Sequence, residues 1–289
     1  MHYYPFFTII IKRRVFMNKI LFFDIDGTLI SDRTYKIPPS AIDAISKAKK
    51  NGHLCFLCTG RSYAMTKEVS TAGIDNAIIT NGMGIILNKQ PIILHTIDKL
   101  IVSKTLQLIE EMNGGYQIID WQYGYQNAYN YAHSKKAFLD RFPDIDPLYF
   151  FNQKGMKSLT EYPESDILKI DVTLNSEEDA KRFNQELDPS LEMTWAGGYT
   201  NHTANAGELV SKGYNKGTGI KELINYLHMD IKDTIAFGDS SNDKEMLKTV
   251  NTAVVMGNGS DDIKQYADFI TDDIDNDGLA KAMEHLNLI

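Results

Sequence analysis

Basic side chains are in short supply: 30 Lys and Arg stand against 38 Asp and Glu, a formal net charge of −8. That balance gives no support to a general nucleic-acid or membrane-surface binder, since either wants a basic face. An anionic substrate stays open, because a bound metal and a few local cations can outweigh the global charge. Long apolar runs are lacking too. The apolar part of the opening MHYYPFFTIIIKRRVF, Phe6 to Ile11, is too short to span a bilayer. Its basic cluster Lys12-Arg13-Arg14 follows the apolar stretch instead of preceding it, which is the wrong order for a secretory signal. Residues 1–16 are therefore expected to be a disordered extension ahead of Met17. Repeats and low-complexity segments are absent. Cysteine occurs only at Cys55 and Cys58. Their C-x-x-C spacing invites a redox reading, but a redox pair needs its first cysteine at a helix N-terminus. His53-Leu-Cys-Phe-Leu-Cys58 reads instead as a buried strand, on which residues three apart point to opposite faces. Two core thiols suit a reducing, cytoplasmic setting.

What is present is an alternation of short apolar runs and helical stretches. Lys19-Ile-Leu-Phe-Phe-Asp24 reads as a buried strand ending in a polar loop. A helix follows from Ser40 to Lys50, then a strand to Leu57, a helix from Tyr63 to Ala72 and a third strand at Ala77-Ile-Ile-Thr80. The same rhythm returns late in the chain, with helices at Lys216–Leu227 and Asn242–Val250 around the strand Thr234-Ile-Ala-Phe-Gly238. Between them the texture changes, with Trp121-Gln-Tyr-Gly-Tyr-Gln-Asn-Ala-Tyr-Asn-Tyr131 and a half-exposed strand at Ile167–Leu174. The fold class expected is α/β: a doubly wound parallel-sheet core, residues 17–95 and 192–289, carrying residues 96–191 as an inserted α+β cap.

Four groups of residues carry chemistry. In Asp24-Ile-Asp26-Gly-Thr-Leu-Ile30, two carboxylates two apart close a buried strand, where open α/β sheets bind ligands. One can attack phosphorus if a divalent metal relieves the repulsion between carboxylate and phosphate. The other can protonate the leaving oxygen and later deprotonate water. A solvated Asp-Gly turn is the rival reading, weakened by the flanking Ile-Leu-Phe-Phe and Gly-Thr-Leu. Thr59 ends the second strand, and Gly60 leaves room for a close ligand, so this turn can hold phosphate oxygens; Arg61 is either structural or in contact with substrate. Lys216 opens a helix, where a cation opposes the macrodipole and so is an odd choice for stability alone. It can neutralise phosphate and nucleophile together. In Gly238-Asp239-Ser-Ser-Asn242-Asp243, Asp239 would complete a hard-oxygen magnesium site with Asp24 and a main-chain carbonyl. Asp243 suits an orienting role toward Lys216 or a metal-bound water, against the plainer reading of an N-capping turn.

In order, these motifs resemble the haloacid dehalogenase superfamily, and within it the Cof-type phosphatases that carry the large second-position (C2) cap. Thr80-Asn81-Gly82 and Val255-Met256-Gly257-Asn258 extend the match, which runs from Met17 to near the end of the chain. The resemblance implies Asp24 as nucleophile and Asp26 as acid/base. It implies Mg2+ on the Asp24 carboxylate, the Asp26 carbonyl and Asp239. Thr59, Gly60, Arg61, Asn81, Lys216 and Asn242 would bind phosphate or substrate. Related transport ATPases keep a long-lived phospho-enzyme and carry Thr where Asp26 stands, so prompt hydrolysis is expected here. The N-terminal extension departs from the family, as does Gly259, where many relatives have alanine. The activity implied is hydrolysis of small phosphorylated metabolites, with no nucleic acid or membrane as partner. Rivals are a phosphomutase or phosphotransferase on the same scaffold, or a non-catalytic phospho-ligand sensor. Lone His133 and His202, the cap tyrosines and the acidic run Asp272–Asp277 read as ordinary packing and loop residues.

Overall fold

The computed structural model describes residues 19–141, 143, 146–147, 151, 154–195 and 205–289. The extension expected at 1–16, Met17 and His202 lie outside the described residues. The chain divides into two compact units. One holds the described residues up to Gly60 with Val69–Ile93 and Tyr214–Ile289; the other holds Arg61–Glu68 and Leu94–Gly213.

The first unit opens with β1 (Ile20–Phe23), α1 (Pro39–Lys50), β2 (Leu54–Cys58), β3 (Ala77–Ile79), β4 (Gly84–Leu87) and β5 (Gln90–Leu94). The second contributes α2 (Lys99–Glu111), β6 (Gly115–Ile119), β7 (Gly124–Gln126), α3 (Ala128–Arg141), β8 (Met156–Ser158), β9 (Lys169–Thr173), α4 (Glu177–Glu186), β10 (Leu191–Trp195) and β11 (Ala206–Ser211). The chain then returns through α5 (Lys216–Leu227), β12 (Thr234–Gly238), α6 (Lys244–Thr249), β13 (Thr252–Val255), α7 (Asp261–Lys264), β14 (Phe269–Ile270) and α8 (Gly278–His285).

The first unit's sheet has the order β14-β13-β12-β1-β2-β3-β4-β5, parallel from β14 to β3. Counted within this unit alone, those parallel strands follow the 3-2-1-4-5-6 order of a doubly wound sheet. The chain winds outward from β1 through β2 and β3, then resumes on the other side of β1 at β12. The order therefore reverses at β1 and β12, which pair Phe23 with Phe237 and stack the two rings 4.9 Å apart. A ligand crevice forms outside the carboxyl ends of strands at such a reversal. Burial on both faces explains the unbroken apolar run Ile20–Phe23, each residue 0% exposed. Ile20 and Phe22 join Phe56, Cys58 and Ile78 in one core cluster with Ile220, Leu223 and Ile224 of α5 and Met246 and Leu247 of α6. Leu21 and Phe23 alternate to the other side. Helix α1 buries Ala41, Ala44, Ile45 and Ala48, one stripe at helical spacing, and packs on α8.

Cys55 and Cys58 sit on β2 as free, buried thiols. Burial pushes the Cys55 thiol up to about 12 and the Cys58 thiol higher still. Against an ordinary thiol, Cys55 carries about a thousandfold less thiolate at neutral pH, and thiolate is the reactive species. Titration of the native protein with an aromatic disulfide reagent should show no fast thiol, and both cysteines should react after denaturation. A fast equivalent in the native protein would contradict this placement.

In the second unit the sheet order is β10-β11-β9-β6-β7-β8, antiparallel from β10 through β7 and parallel between β7 and β8. Two boundaries differ from those read along the chain. β10 pairs with β11 and β11 with β9, and the first unit resumes at Tyr214 where 192 was expected. Residues 61–68 group with the second unit although they lie between two strands of the first. The helix expected from Tyr63 to Ala72 is a pair of 3-10 turns, Ala64–Ala72, kinked at Val69. Of the tyrosines in the 121–131 run, Tyr125 lies on β7, while Tyr129 and Tyr131 lie on α3. Among the described residues no helix is long and apolar enough to cross a membrane.

Candidate active site

The site is built at the carboxyl ends of β1, β2 and β12, with α5 supplying a cation. Asp24 follows β1 directly, and its N–H donates to the Phe237 carbonyl of β12 at 3.0 Å. The parallel ladder thus runs to the last residue before the loop and holds the carboxylate at the sheet's edge. Beyond it the chain folds tightly: the N–H groups of Leu29 and Ile30 both donate to the Ile25 carbonyl, and that of Gly27 donates to the Ile30 carbonyl. Gly27 has φ +79, and a Cβ there would lie 2.2 Å from Asp239 Oδ2. Only glycine lets the backbone of this turn approach the Asp239 carboxylate so closely. Thr28 completes the approach by donating its hydroxyl to Asp239 Oδ1 at 2.8 Å. Asp26 is half-buried in the same turn and makes a backbone bridge with Ile30.

Lys216 is the first residue of α5, behind the N-cap Asn215, whose side chain accepts from Thr218 N–H at 2.9 Å. Its ammonium is 1% exposed and donates to Asp24 Oδ1 and to Asp243 Oδ1, both at 2.6 Å. Asp243 in turn accepts on Oδ2 from the N–H groups of Asp239, at 3.0 Å, and Ser240, at 3.2 Å. Asp243 therefore holds the lysine with one oxygen and the Asp239 loop with the other. Thr59 is buried at the end of β2; its N–H donates to the Ile78 carbonyl at 2.9 Å, and its own carbonyl accepts from Asn81 N–H at 3.1 Å. Thr80, Asn81 and Gly82 have φ of 48, 55 and 92°. Left-handed backbone at a β-branched threonine is strained, and such strain gathers at functional sites. A Cβ on Gly82 would lie 2.2 Å from the Asn215 carbonyl oxygen, so this loop presses directly on the N-terminus of α5 and fixes where Lys216 begins.

The structure thus brings Asp24, Asp239, Asp243 and Lys216 into one cluster, with Asp26 in the turn beside it and Thr59 and Asn81 on one linked pair of strand ends. Two of the expected residues make side-chain contacts of another kind. Asn242 is exposed and accepts from the Ser240 hydroxyl at 2.8 Å. Arg61, just past Gly60, belongs to the second unit, where its Nη1 donates to Glu68 Oε2 at 2.6 Å and to the Met65 carbonyl at 3.3 Å. Sequence reading assigned no role to Thr28, Asn215 or Asn258. Asn258 donates to the Gly27 carbonyl at 2.8 Å and accepts from Ile274 N–H at 2.9 Å, tying the β13 loop to the Asp24 turn. Each of the three lies inside or beside a motif already singled out, and Asn before a helix is a capping signal.

Three carboxylates face one ammonium in this cluster, and the imbalance sets the electrostatics. Burial, reinforced by Asp243, raises Asp24 to about 7, with Lys216 opposing. Burial also raises Asp239 to about 9, helped by the charges of Asp24 and Asp243 and opposed by the Thr28 hydrogen bond. For Lys216 burial alone would favour the neutral amine, but Asp24 and Asp243 outweigh it and hold the ammonium charged. Ligand oxygens of Asp24, Asp239 and Asp243 lie within 4.8 Å of one another. This is a hard-oxygen, charge-rich donor set that fits a divalent cation such as Mg2+. Since Asp243 is engaged on both oxygens, Asp24 and Asp239 are the carboxylates best placed to hold the ion.

The family profile described as haloacid dehalogenase-like hydrolase matches residues 21–283. The chain is 30% identical over 280 residues to "Putative phosphatase YkrA" of Bacillus subtilis (strain 168), covering 94% of this chain and 99% of that protein. It is 23% identical to the pyridoxal phosphate phosphatase YbhA of Escherichia coli (strain K12), covering 91% of this chain and 97% of that one. Among solved structures, a sugar phosphatase of HAD subclass IIB superposes with a TM-score of 0.76 at 29% identity, over 94% of this chain and all of the other.

Proposed function

This chain belongs to the haloacid dehalogenase-like hydrolase family and is a phosphatase, and on that premise we propose that it hydrolyses phosphomonoesters of small metabolites, sugar phosphates among them, through an aspartyl-phosphate on Asp24. The observation that carries the reading is the placement of Asp24: it stands at the sheet's reversal point, 2.6 Å from the Lys216 ammonium, in a cluster with Asp239 and Asp243. Residues 94–213, with their own sheet, are assigned as the family's cap. Two free cysteines fit a reducing, cytoplasmic setting.

In the proposed reaction a carboxylate oxygen of Asp24 forms the new bond to phosphorus as the bond from phosphorus to the ester oxygen breaks. Asp26 delivers its proton to that departing oxygen, so the alcohol leaves neutral. The same residue, now a carboxylate, takes a proton from water as the water oxygen attacks phosphorus and frees Asp24 and inorganic phosphate. Lys216 and the Thr59 turn hold the phosphoryl oxygens, and Asp243 holds Lys216. The Asp24 and Asp239 carboxylates with the Asp26 main-chain carbonyl would hold Mg2+, which when bound supplies positive charge against the repulsion between Asp24 and phosphate.

Phosphate release from a panel of sugar phosphates, nucleotides and pyridoxal phosphate tests the reading. Activity with Mg2+ should fall by at least about 100-fold in EDTA, as for a site that needs a Lewis acid; turnover unchanged by EDTA would overturn it. Mg2+ at about 100 times its dissociation constant should stabilise the fold by about 2.7 kcal/mol if the unfolded chain does not bind it. That is a rise of about 5 °C in Tm for a chain of this size, and Asp239→Asn should remove it.

A further inference from the structure

We propose that Gly217 is a positioning residue for the Lys216 ammonium: its bare Cα lets α5 seat against the helix that Asp243 opens, and that seat holds the cation on Asp24. The inference rests on the reading above, in which Lys216 acts at Asp24. Nothing local keeps Lys216 in place. A cation in the first turn of a helix opposes the macrodipole, and a lysine stem is flexible. Gly217, the next residue, lies inside α5 with ordinary helical backbone. Conformation therefore does not call for glycine there, and alanine would be the better helix former. Space does call for it. A Cβ on Gly217 would lie 2.3 Å from the Glu245 carbonyl oxygen and 2.5 Å from Thr249 Oγ1. Both belong to α6, whose N-cap is Asp243, the residue that holds Lys216 at 2.6 Å.

The contact lies one residue past Lys216 and two past Asp243, so it sets the distance between the two helix starts directly. The other side of the turn is closed as well. Residues two apart on a helix point about 200° apart, and a Cβ on Gly219 would lie 2.7 Å from Ile78 Cγ2 and 2.9 Å from the Gly82 Cα. The first turn of α5 is therefore wedged between α6 and the end of β3 with its loop, and cannot back away from one without striking the other. An alanine at 217 would need its methyl carbon about 3.3–3.6 Å from the Glu245 oxygen, roughly 1 Å more than the backbone leaves. That oxygen is a main-chain carbonyl that also accepts from the Thr249 hydroxyl at 2.7 Å, so no side-chain rotation removes it. A lysine that is 1% exposed has little slack to follow the shift. A 2.6 Å hydrogen bond lengthened by about 1 Å is no longer one.

The test is a double-mutant cycle in the full chain with Mg2+, using p-nitrophenyl phosphate as substrate: wild type, Gly217→Ala, Lys216→Met and the pair. Gly217→Ala should lower kcat about 100-fold, the scale of a misplacement of about 1 Å. In the Lys216→Met background the same substitution should change kcat by no more than about twofold, since the group it positions is gone. A second readout needs no turnover. Proton–nitrogen NMR of lysine-labelled protein should show a slowly exchanging ammonium resonance that Lys216→Met removes, and Gly217→Ala should move it or speed its exchange. Should Gly217→Ala fail to fold, Thr249→Val carries the test from the facing helix. It puts a wider methyl group where the hydroxyl stands beside Gly217, and kcat should fall about threefold to tenfold with the same change in the resonance. Effects that multiply in the pair, a kcat in Gly217→Ala within about threefold of wild type, or an unmoved Lys216 resonance in the folded variant would each overturn the proposal. A wild type that releases no phosphate would instead overturn the reading of function, and the lysine spectrum would still judge the placement of Lys216.

Discussion

Asp24→Asn should lower phosphate release by at least about 10⁴-fold, with the protein still folded, because the amide cannot form the bond to phosphorus on which both half-reactions depend. The side chain is nearly isosteric, and Lys216 keeps its Asp243 partner at 2.6 Å, so loss of activity would report on chemistry and not on collapse. Rapid quench with labelled substrate should trap label on the wild-type chain and none on the variant. Full activity in the Asn variant would end the covalent reading. The same substitution has a second, opposite consequence for stability in EDTA. Burial raises the folded Asp24 to about 7, well above an ordinary carboxylate's 3.8. Over that window the folded state holds more protons than the unfolded one, so wild-type stability falls as pH rises from about 4 to about 7. The variant lacks this titration, so relative to wild type it should gain stability across the same interval and keep a constant difference above it. Urea melts at pH 5 and pH 8 giving the same difference between variant and wild type would show that the carboxylate is not held at this cost.

Lys216→Met should be the most destabilising single change in the site. It leaves Asp24 and Asp243, 4% and 0% exposed, without the ammonium they share, and breaking a buried pair from one side typically costs about 3–5 kcal/mol. Against a total of about 5–15 kcal/mol that is a large fraction. Turnover should fall by about 10³-fold in addition, since a cation aimed at developing phosphoryl charge is lost. The deficit in stability should shrink in acid, where Asp24 can take up a proton in place of the missing partner. Lys216→Arg should not restore function, because a wider planar guanidinium does not fit a position 1% exposed between carboxylates at 2.6 Å. A Met variant within about 1 kcal/mol of wild type in urea melts at pH 8 would show that the cluster is not held as described.

Much of this was legible along the chain. Ile20–Phe23 reads as a buried strand because a strand covered on both faces has no polar alternation to disguise it. Its carboxyl end is where an open α/β sheet places ligands, so Asp24 and Asp26 were legible with it. Less visible were β4, β6 and β11, short strands whose status depends on distant partners. Residues 206–211 carry only a weak pattern of their own, and become a strand by pairing with β9 and β10. For that reason the cap read along the chain ends at 191, whereas the second unit runs to Gly213. Asn242 illustrates a different limit: the resemblance implies it as a binding residue, and only the structure shows that its exposed side chain accepts from the Ser240 hydroxyl.

The sequence by itself determined the chemistry available: a nucleophilic carboxylate, a neighbour for acid/base work, oxygen donors for a hard cation, and a parallel sheet to carry them. Those are properties of residue type and short-range order, which a linear chain displays openly. Only the tertiary structure decided who faces whom. Lys216 meets Asp24 across 192 residues, because β1 and β12 pair in register and a strained Thr80-Asn81-Gly82 loop seats the start of α5. Arg61 was turned toward Glu68 and Lys154 by packing within residues 61–68 and 94–213. Hydrogen-bond register and close backbone approach act between segments far apart in the chain, and no local pattern encodes them.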